Sequence, residues 1–256
     1  MKVGYAAICT VLFWILNVNI TTAAELKILT AGAFKHFPIA MAQKFRELTG
    51  HAVVIDNDTA GGLVKRIGSG ETFDVAFVSR SAADTLMAGG RLAPDTKIDI
   101  GKIGIGVVVK EGAPLPAINT IDAFKQALLG AKSISYPNPV SGGSAGIYAA
   151  RLIQRLGLAD QVDAKTRLIS GDFRLIDPIM KGEVELGIYP VAEIMATSGV
   201  QLAGSLPEEI QNYTTYVVVV SKETRQRDAA ADFVRFVSGP SAAAVLASQG
   251  MEPIKR

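Results

Sequence analysis

Strand-like and helix-like spacings of apolar residues alternate along the first third of the chain. Short apolar runs indicate buried strands, and apolar positions three and four residues apart indicate helices. The strands are expected at residues 26–31, 52–55 and 74–78, and the helices at 37–48, 62–67 and 82–88. Three strand–helix units in succession predict a parallel sheet with right-handed crossovers.

Strand-like and helix-like segments also alternate in the rest of the chain, but with different lengths and spacing. Further strands are expected at residues 103–110, 133–136, 166–170, 185–189 and 213–220, and helices at 120–129, 144–156, 175–181, 225–237 and 241–248. The pattern predicts an α/β protein with two lobes, between which the chain crosses near residues 103–110 and 213–220. We expect residues 25–106 and 214–256 in one lobe and residues 107–213 in the other.

The first 24 residues have a different pattern. Residues 3–20 contain no charge, and the small residues Thr21, Thr22, Ala23 and Ala24 follow. This order predicts a secretory signal peptide over residues 1–24, cleaved after Ala24. A run of about 18 apolar residues is also long enough for a membrane anchor, but the small residues favour cleavage. We therefore expect a periplasmic protein with no stable membrane anchor.

Composition narrows the chemistry. The chain has 26 basic and 24 acidic residues among 256, a balance too even for nucleic-acid binding through bulk charge. It has two histidines and one cysteine, Cys9, which lies within the predicted signal peptide. Zinc sites built from Cys and His are therefore not expected. A cysteine-free mature chain fits a bacterial periplasm, since exported domains elsewhere often depend on disulfides.

Common catalytic and nucleotide-binding motifs do not match. Residues 141–146 (SGGSAG) lack the spacing of a nucleophile elbow, and no Lys-Ser/Thr pair follows to make a P-loop. No dinucleotide-binding fingerprint is present. We therefore expect neither a nucleotide nor any other cofactor, and no metal.

Three groups of motifs, taken in order, resemble a known family. They are LTAGAF at 29–34, TAGGL with IGSGE at 59–63 and 67–71, and SAGIYA with KGE and ELGIY at 144–149, 181–183 and 185–189. Together they are similar to the periplasmic molybdate-binding proteins and other type II extracellular solute-binding proteins. The resemblance covers nearly all of residues 25–250. It implies a monomeric, two-lobed Venus-flytrap fold with parallel-dominated sheets and two interlobe crossing strands, presented to an ABC permease.

Four loops are candidates for the ligand site in such a cleft. They lie where strands end and helices begin, at residues 31–35, 59–62, 79–82 and 141–146, and they are rich in small residues. Helix N-termini carry unpaired N–H groups and bind anions. The predicted ligand-binding residues are Gly32, Ala33, Phe34, Lys35, Thr59, Ala60, Gly61, Ser79, Arg80, Ser141, Gly142, Gly143, Ser144 and Tyr189.

The ligand itself is left open between three classes. Molybdate binders of this family use serine hydroxyls in the first two loops, where this chain has Ala33 and Thr59-Ala60. Lys35 and Arg80 suit carboxylates, so a di- or tricarboxylate carried for an ABC transporter is the first expectation. Because some relatives are aconitate isomerases, an enzyme that moves a double bond between cis- and trans-aconitate is the alternative. Lys35, His36 and Tyr189 would then handle the proton. Molybdate or tungstate binding is the second alternative.

Overall fold

A computed structural model describes residues 23–171 and 175–254. The predicted signal peptide lies almost entirely outside the described residues, and so does the segment 172–174. Within the described ranges, no helix is long and apolar enough to cross a membrane.

The described chain forms strands and helices in mixed order. The strands are β1 Glu25–Ala31, β2 Ala52–Asp58, β3 Val75–Ser79, β4 Ile98–Ile103, β5 Ile105–Lys110, β6 Ile134–Pro137, β7 Thr166–Ile169, β8 Leu186–Pro190, β9 Val200–Ser205, β10 Thr214–Val220 and β11 Glu252–Pro253. The helices are α1 His36–Thr49, α2 Ala60–Gly68, α3 Arg80–Ala88, α4 Ile121–Gly130, α5 Ser144–Arg155, α6 Ala159–Asp163, α7 Asp177–Met180, α8 Val191–Met195, α9 Arg227–Val237 and α10 Pro240–Ser248. Short 3-10 turns span Gly32–Phe34, Pro139–Ser141 and Glu208–Ile210.

Two separate sheets confirm the predicted two-lobed α/β architecture. The first sheet has the strand order β11-β4-β10-β3-β1-β2, and the second has the order β7-β6-β8-β5-β9. The parallel pairing predicted for the first three strand–helix units is present, β1 with β2 and β3, and β6 also pairs in parallel with β7 and β8. Parallel pairs do not dominate the sheets as expected, because the strands next to the crossings pair antiparallel. Antiparallel pairing of β10, β4, β5 and β9 makes both sheets mixed.

The chain passes between the sheets at a glycine. Residues 103–110, expected as one strand, are two strands on either side of Gly104, with β4 in the first sheet and β5 in the second. The chain returns between β9 and β10. Gln211 joins the two crossings, because its Oε1 accepts from Ile105 N (2.8 Å) and its Nε2 donates to Ile105 O (3.0 Å). The exact lobe limits at residues 106 and 214 stay predictions.

Each lobe has a core of its own. In the first lobe, the apolar faces of α1, α2, α3 and α9 cover the sheet, and Phe34, Phe37, Phe45, Phe77 and Phe233 are fully buried. In the second lobe, α4 and α5 pack on β5, β6 and β8 around Phe124. At about 25 cal/mol per Å² of buried apolar surface, such cores supply most of the stability of each lobe. The loops at the strand ends are thereby held in place.

Candidate functional site

A cavity of about 70 Å³ lies between the two lobes. The first lobe contributes residues after β1, the end of β2 and the start of α2, and the second contributes the loop after β6, the start of α5 and the segment after β8. A buried water molecule needs about 10–15 Å³ of such space, so the cavity has room for a small solute. It lies where the carboxyl ends of parallel strands meet, as expected for open α/β sheets.

The lobes are in contact across this cavity. Gly61 N in the first lobe donates to Gly142 O in the second (3.4 Å), and Ser144 Oγ lies 3.0 Å from Thr214 Oγ1. A Cβ atom at Gly61 would lie only 3.2 Å from Gly142 Cα. The close approach of these two loops therefore favours glycine at position 61, and it closes one side of the cleft.

Polar groups from both lobes form part of the wall. They are the side chains of Asn57, Asp58, Thr59, Asn138, Ser141, Ser144, Glu193 and Tyr216. None of them is basic, so amide and backbone N–H groups are the donors that the wall itself offers to an anion, and the charge of Lys35 acts from beside it.

Apolar groups make up much of the remaining wall. They are the side chains of Ala31, Ala33, Ala60, Pro137, Ala145, Ile169, Leu175 and Pro190. This part of the wall suits contact with carbon, because apolar surface is stabilised by contact with apolar surface.

The start of α2 is largely occupied by acceptors of the protein itself. Thr59 N donates to Asp58 Oδ1 (2.6 Å), Gly62 N donates to Thr59 Oγ1 (3.0 Å), and Gly61 N donates to Gly142 O. These bonds use donors that an uncapped helix would offer to an anion. The prediction that loop 59–62 supplies such donors is therefore met only in part, although Thr59 and Ala60 line the cavity.

The start of α5 is different. Its N-cap is Gly143, which has no side chain to satisfy the first-turn N–H groups, and Gly143, Ser144 and Ala145 all line the cavity. A twelve-residue helix carries a partial positive charge at this end. This N-terminus is thus the backbone feature of the wall best suited to a carboxylate or another oxyanion.

Two side-chain atoms in the wall are buried without a hydrogen-bond partner in the part of the chain that the structure describes. They are Nδ2 of Asn57 and Oε2 of Glu193. Burial raises the pKa of Glu193 to about 7, and the positive charge of Lys35 opposes this shift. Because unpaired buried polar atoms cost about 1–3 kcal/mol each, both atoms point to a bound group that completes their hydrogen bonding.

Seven of the predicted site residues line the cavity. They are Gly32, Ala33, Thr59, Ala60, Ser141, Gly143 and Ser144. Gly61 and Gly142 meet each other at the contact between the lobes. Small residues at the ends of strands thus indicate which backbone segments form the cavity wall.

Two aromatic residues expected in the site lie elsewhere. The ring of Phe34 is fully buried in the first core, stacked on Tyr216 with ring centroids 4.7 Å apart. Tyr189 is also fully buried, and its hydroxyl donates to Leu175 O (2.9 Å) and lies 3.0 Å from Ser135 Oγ. Burial raises the pKa of Tyr189 well above its ordinary value. Tyr189 therefore supports the wall from behind, since Leu175 is a lining residue.

The loop at 79–82 lies outside the cavity wall. Ser79 is buried, and its Oγ caps α3 by accepting from Ala82 N (3.3 Å). Arg80 is exposed and forms an ion pair with Asp99. Its guanidinium is already matched with a carboxylate of the protein, so the expected fork for an organic acid is not assembled here.

Lys35 and His36 lie beside the cavity rather than in its wall. Both are half-buried at the start of α1, and the carbonyl of His36 accepts from Gln249 Nε2 (3.2 Å). Burial and the charge of Lys35 hold the pKa of His36 below its ordinary value. Lys35 acts on the cavity through its charge, because it lowers the pKa of Glu193.

The site residues that the sequence did not reveal are Asn57, Asp58, Asn138, Glu193 and Tyr216. Asn57 and Asp58 end β2, and Glu193 follows β8 by three residues. Polar residues at the carboxyl ends of strands are the signal that finds them. Among the described residues, no group of three or more His, Cys, Asp and Glu side chains is arranged to hold a metal ion.

Comparison with known proteins identifies the family. The model of the bacterial extracellular solute-binding proteins matches residues 26–252. The chain belongs to this family. Among solved structures, this solute-binding protein is similar to the periplasmic molybdate-binding protein of Azotobacter vinelandii, with a TM-score of 0.73, 22% identity, and coverage of 90% of this chain and 99% of that one. The fold is thus that of the two-lobed periplasmic binding proteins.

Two curated relatives carry different functions. The solute-binding protein is 30% identical to an aconitate isomerase of a Pseudomonas species over 198 residues, which are 77% of this chain and 74% of that protein. It is 26% identical to the molybdate-binding protein of Escherichia coli K12 over 218 residues, 82% of each chain.

Proposed function

We propose that this protein binds a small organic carboxylic acid in the cavity between its lobes, as an exported protein of the periplasm. The observation that carries the proposal is the composition of the wall. The uncapped start of α5 and Nδ2 of Asn57 offer N–H groups to a carboxylate. Apolar side chains such as Ile169, Leu175 and Pro190 face the carbon skeleton.

The same wall is a poorer match for molybdate or tungstate. A tetrahedral oxyanion presents oxygen in every direction, so contact with the apolar part of the wall would leave some oxygens without donors. An organic acid can share a proton with Glu193 and turn its apolar side to the apolar wall.

Aconitate is the first candidate ligand. The aconitate isomerase relative shares 30% of its residues with this chain over most of both chains. The argument for a carboxylate from Lys35 and Arg80 has to be replaced, because Arg80 pairs with Asp99. The argument for a carboxylate depends instead on Asn57, the start of α5 and the charge of Lys35.

Two roles follow from binding an acid of this kind. As a transport component, the protein would work as a monomer and deliver its ligand to an ABC permease, a role common among proteins of this fold. As an enzyme, it would interconvert cis- and trans-aconitate without a cofactor. A specific observation favours the enzyme as the second candidate: a carboxyl group with a pKa of about 7 lies in the wall, and proton transfer is the chemistry that this isomerisation needs.

Calorimetric titration of the purified protein tests the ligand class. We expect binding of cis- or trans-aconitate and of the saturated tricarballylate, and no heat with molybdate or sulfate. Asn57→Ala removes the buried amide donor and is expected to weaken binding by about tenfold, since such a hydrogen bond contributes about 1–3 kcal/mol. Asn119→Ala, at an exposed position outside the cleft, is the matched control and should bind as the wild type does.

Tight molybdate binding without binding of organic acids would contradict the carboxylate proposal. Equal affinities of the Asn57 and Asn119 variants would remove Asn57 from the site. N-terminal sequencing of protein recovered from the periplasm tests the export proposal separately, with Glu25 as the expected first residue.

A further inference from the structure

Glu193 is held between the two lobes by the short helix α8. This helix follows β8 of the second sheet, and its first N–H, from Val191, donates to Gly104 O at the interlobe crossing (3.0 Å). The next residue, Ala192, is buried in the core of the first lobe. The Glu193 side chain therefore reaches the cavity from a backbone that is packed against both lobes.

The carboxyl group of Glu193 is poised for an interaction that the protein does not supply. Glu193 lines the cavity, and its Oε2 is buried with no hydrogen-bond partner within residues 23–171 and 175–254. A buried carboxylate in this state is costly. Glutamine would remove the cost of burying a charge, and alanine would remove the unpaired polar atom as well.

The charged and titratable groups around Glu193 come from three elements. Lys35, before α1, favours the ionised form of Glu193, and burial disfavours it more strongly, so that its pKa rises to about 7. The phenols of Tyr216 on β10 and Tyr189 on β8 have pKa values raised chiefly by burial and further by the charge of Glu193. Both phenols are therefore neutral near pH 7, and Glu193 is the lining group that gains or loses a proton there.

We infer that Glu193 is the catalytic acid–base residue of this cavity, an inference that rests on the proposed isomerase function. Its carboxylate takes a proton from the methylene carbon of a bound unsaturated tricarboxylate, and the C–H electron pair spreads over the three-carbon allyl unit. The double bond shifts, and the carboxyl group returns a proton to the carbon at the other end. One C–H bond breaks and one forms, so no oxidant, reductant or cofactor is needed.

The rest of the wall suits the intermediate of this step. The negative charge of the intermediate spreads into the substrate carboxylates. Asn57 and the start of α5 lie in the cavity wall, and their N–H groups would donate hydrogen bonds to those carboxylates. Donors fixed in advance at the place where charge develops lower the barrier. Lys35, His36 and Tyr189, the residues expected from the sequence, lie outside this wall.

The test follows turnover and binding separately in one set of variants. Wild-type protein is incubated with cis-aconitate in D₂O, and proton NMR measures formation of trans-aconitate and deuterium in both isomers. Glu193→Gln is expected to slow turnover and exchange by about 10²–10⁴-fold, the range for loss of a general base. Its affinity for tricarballylate should change by less than about tenfold, or one decade in Kd. Glu209→Gln, an exposed carboxylate on the second lobe, should match the wild type.

The pH dependence separates a catalytic role from a structural one. The base must be ionised, so the wild-type rate should rise with pH through about 7 and then level off. This rise of the rate with pH should be absent from the residual activity of Glu193→Gln. In Glu193→Asp, which keeps a carboxyl group, the rise should occur at a different pH. The aspartate variant also provides a folded comparison if the glutamine variant is unstable.

The possible failures are distinguishable. Undiminished turnover by Glu193→Gln overturns the assignment of Glu193 and leaves the isomerase function in place. Aconitate binding without turnover by the wild type overturns the isomerase function together with this inference and leaves the binding function. An absence of aconitate binding overturns the isomerase function and this inference, and an absence of binding of every organic acid tested overturns the binding function as well.

Discussion

At the scale of the residue, the cavity is marked by polar atoms that the protein leaves unpaired. Asn57 Nδ2 and Glu193 Oε2 are both buried in its wall, with no partner in the described parts of the chain. Stability alone would favour apolar or fully bonded side chains at such places. The free-energy cost of burying the Glu193 carboxyl group depends on pH in a way that can be measured.

Replacing Glu193 by glutamine is expected to stabilise the protein at alkaline pH. The pKa of Glu193 is about 7 in the folded protein against 4.5 ordinarily, so the folded state holds the proton more tightly. Stability therefore falls as the pH rises from about 4.5 to about 7, and the deficit persists above it. Glutamine stays neutral, so Glu193→Gln should raise the unfolding free energy by up to about 3 kcal/mol at pH 8 and change it little at pH 4.5.

Urea unfolding at the two pH values measures this effect. Glu209→Gln serves as the control, because that side chain is exposed. A glutamine variant that is equally stabilised at pH 4.5 and pH 8 would show that titration of Glu193 is not the cause.

At the scale of the element, the first turns of α2 and α5 perform different tasks. The start of α2 is bonded to Asp58, Thr59 and Gly142 and joins the lobes, whereas the start of α5 lines the cavity and has no side-chain cap. The sequence already distinguishes the two starts, because the side chain of Thr59 can cap a helix and Gly143 has no side chain to do so. The contact between Gly61 and Gly142, by contrast, is visible only in the tertiary structure.

Gly61→Ala is expected to weaken ligand binding by keeping the lobes apart. The added Cβ would lie 3.2 Å from Gly142 Cα and 3.4 Å from Gly142 O, and neither backbone atom can turn away as a flexible side chain would. Alanine favours the helix by up to about 1 kcal/mol relative to glycine, so the first lobe should stay folded. We expect calorimetry to show at least about tenfold weaker binding, equivalent to about 1.4 kcal/mol.

Gly68→Ala, in the same helix, is the matched control. Nothing lies within 4 Å of a Cβ at that position, so its affinity should equal that of the wild type. Equal affinities of the two variants would show that the contact between Gly61 and Gly142 does not limit binding.

At the scale of the whole molecule, the two lobes are joined by two crossings that contact each other. Gly104 ends the first crossing, and a Cβ there would lie 3.1 Å from the Tyr213 ring and 3.3 Å from the Gln211 amide. Gln211 bonds to both the N–H and the C=O of Ile105. Movement of one lobe relative to the other therefore acts on both crossings at once, beside the residues that carry Glu193.

Gln211→Ala is expected to loosen the joint between the lobes. The change leaves the N–H and C=O of Ile105 without their side-chain partner, which should lower the unfolding free energy by about 1–3 kcal/mol. Hydrogen exchange should become faster at the Ile105 amide and stay unchanged in the sheet interiors. Gln43→Ala, on an exposed face of α1, is the control, and unaltered exchange at Ile105 in Gln211→Ala would contradict this role.

The sequence by itself determined the α/β class, the order of most elements, the two crossings and the backbone loops of the site. These features depend on local periodicity and on glycine and small residues at strand ends, both of which are visible in one dimension. Only the tertiary structure decided which side chains face the ligand. Phe34 packs in the core, Arg80 forms an ion pair with Asp99, and Tyr189 lies behind the cavity wall. Asn57 and Glu193 entered the cavity. Side-chain direction depends on which partners the fold brings near, and those partners lie far away along the chain.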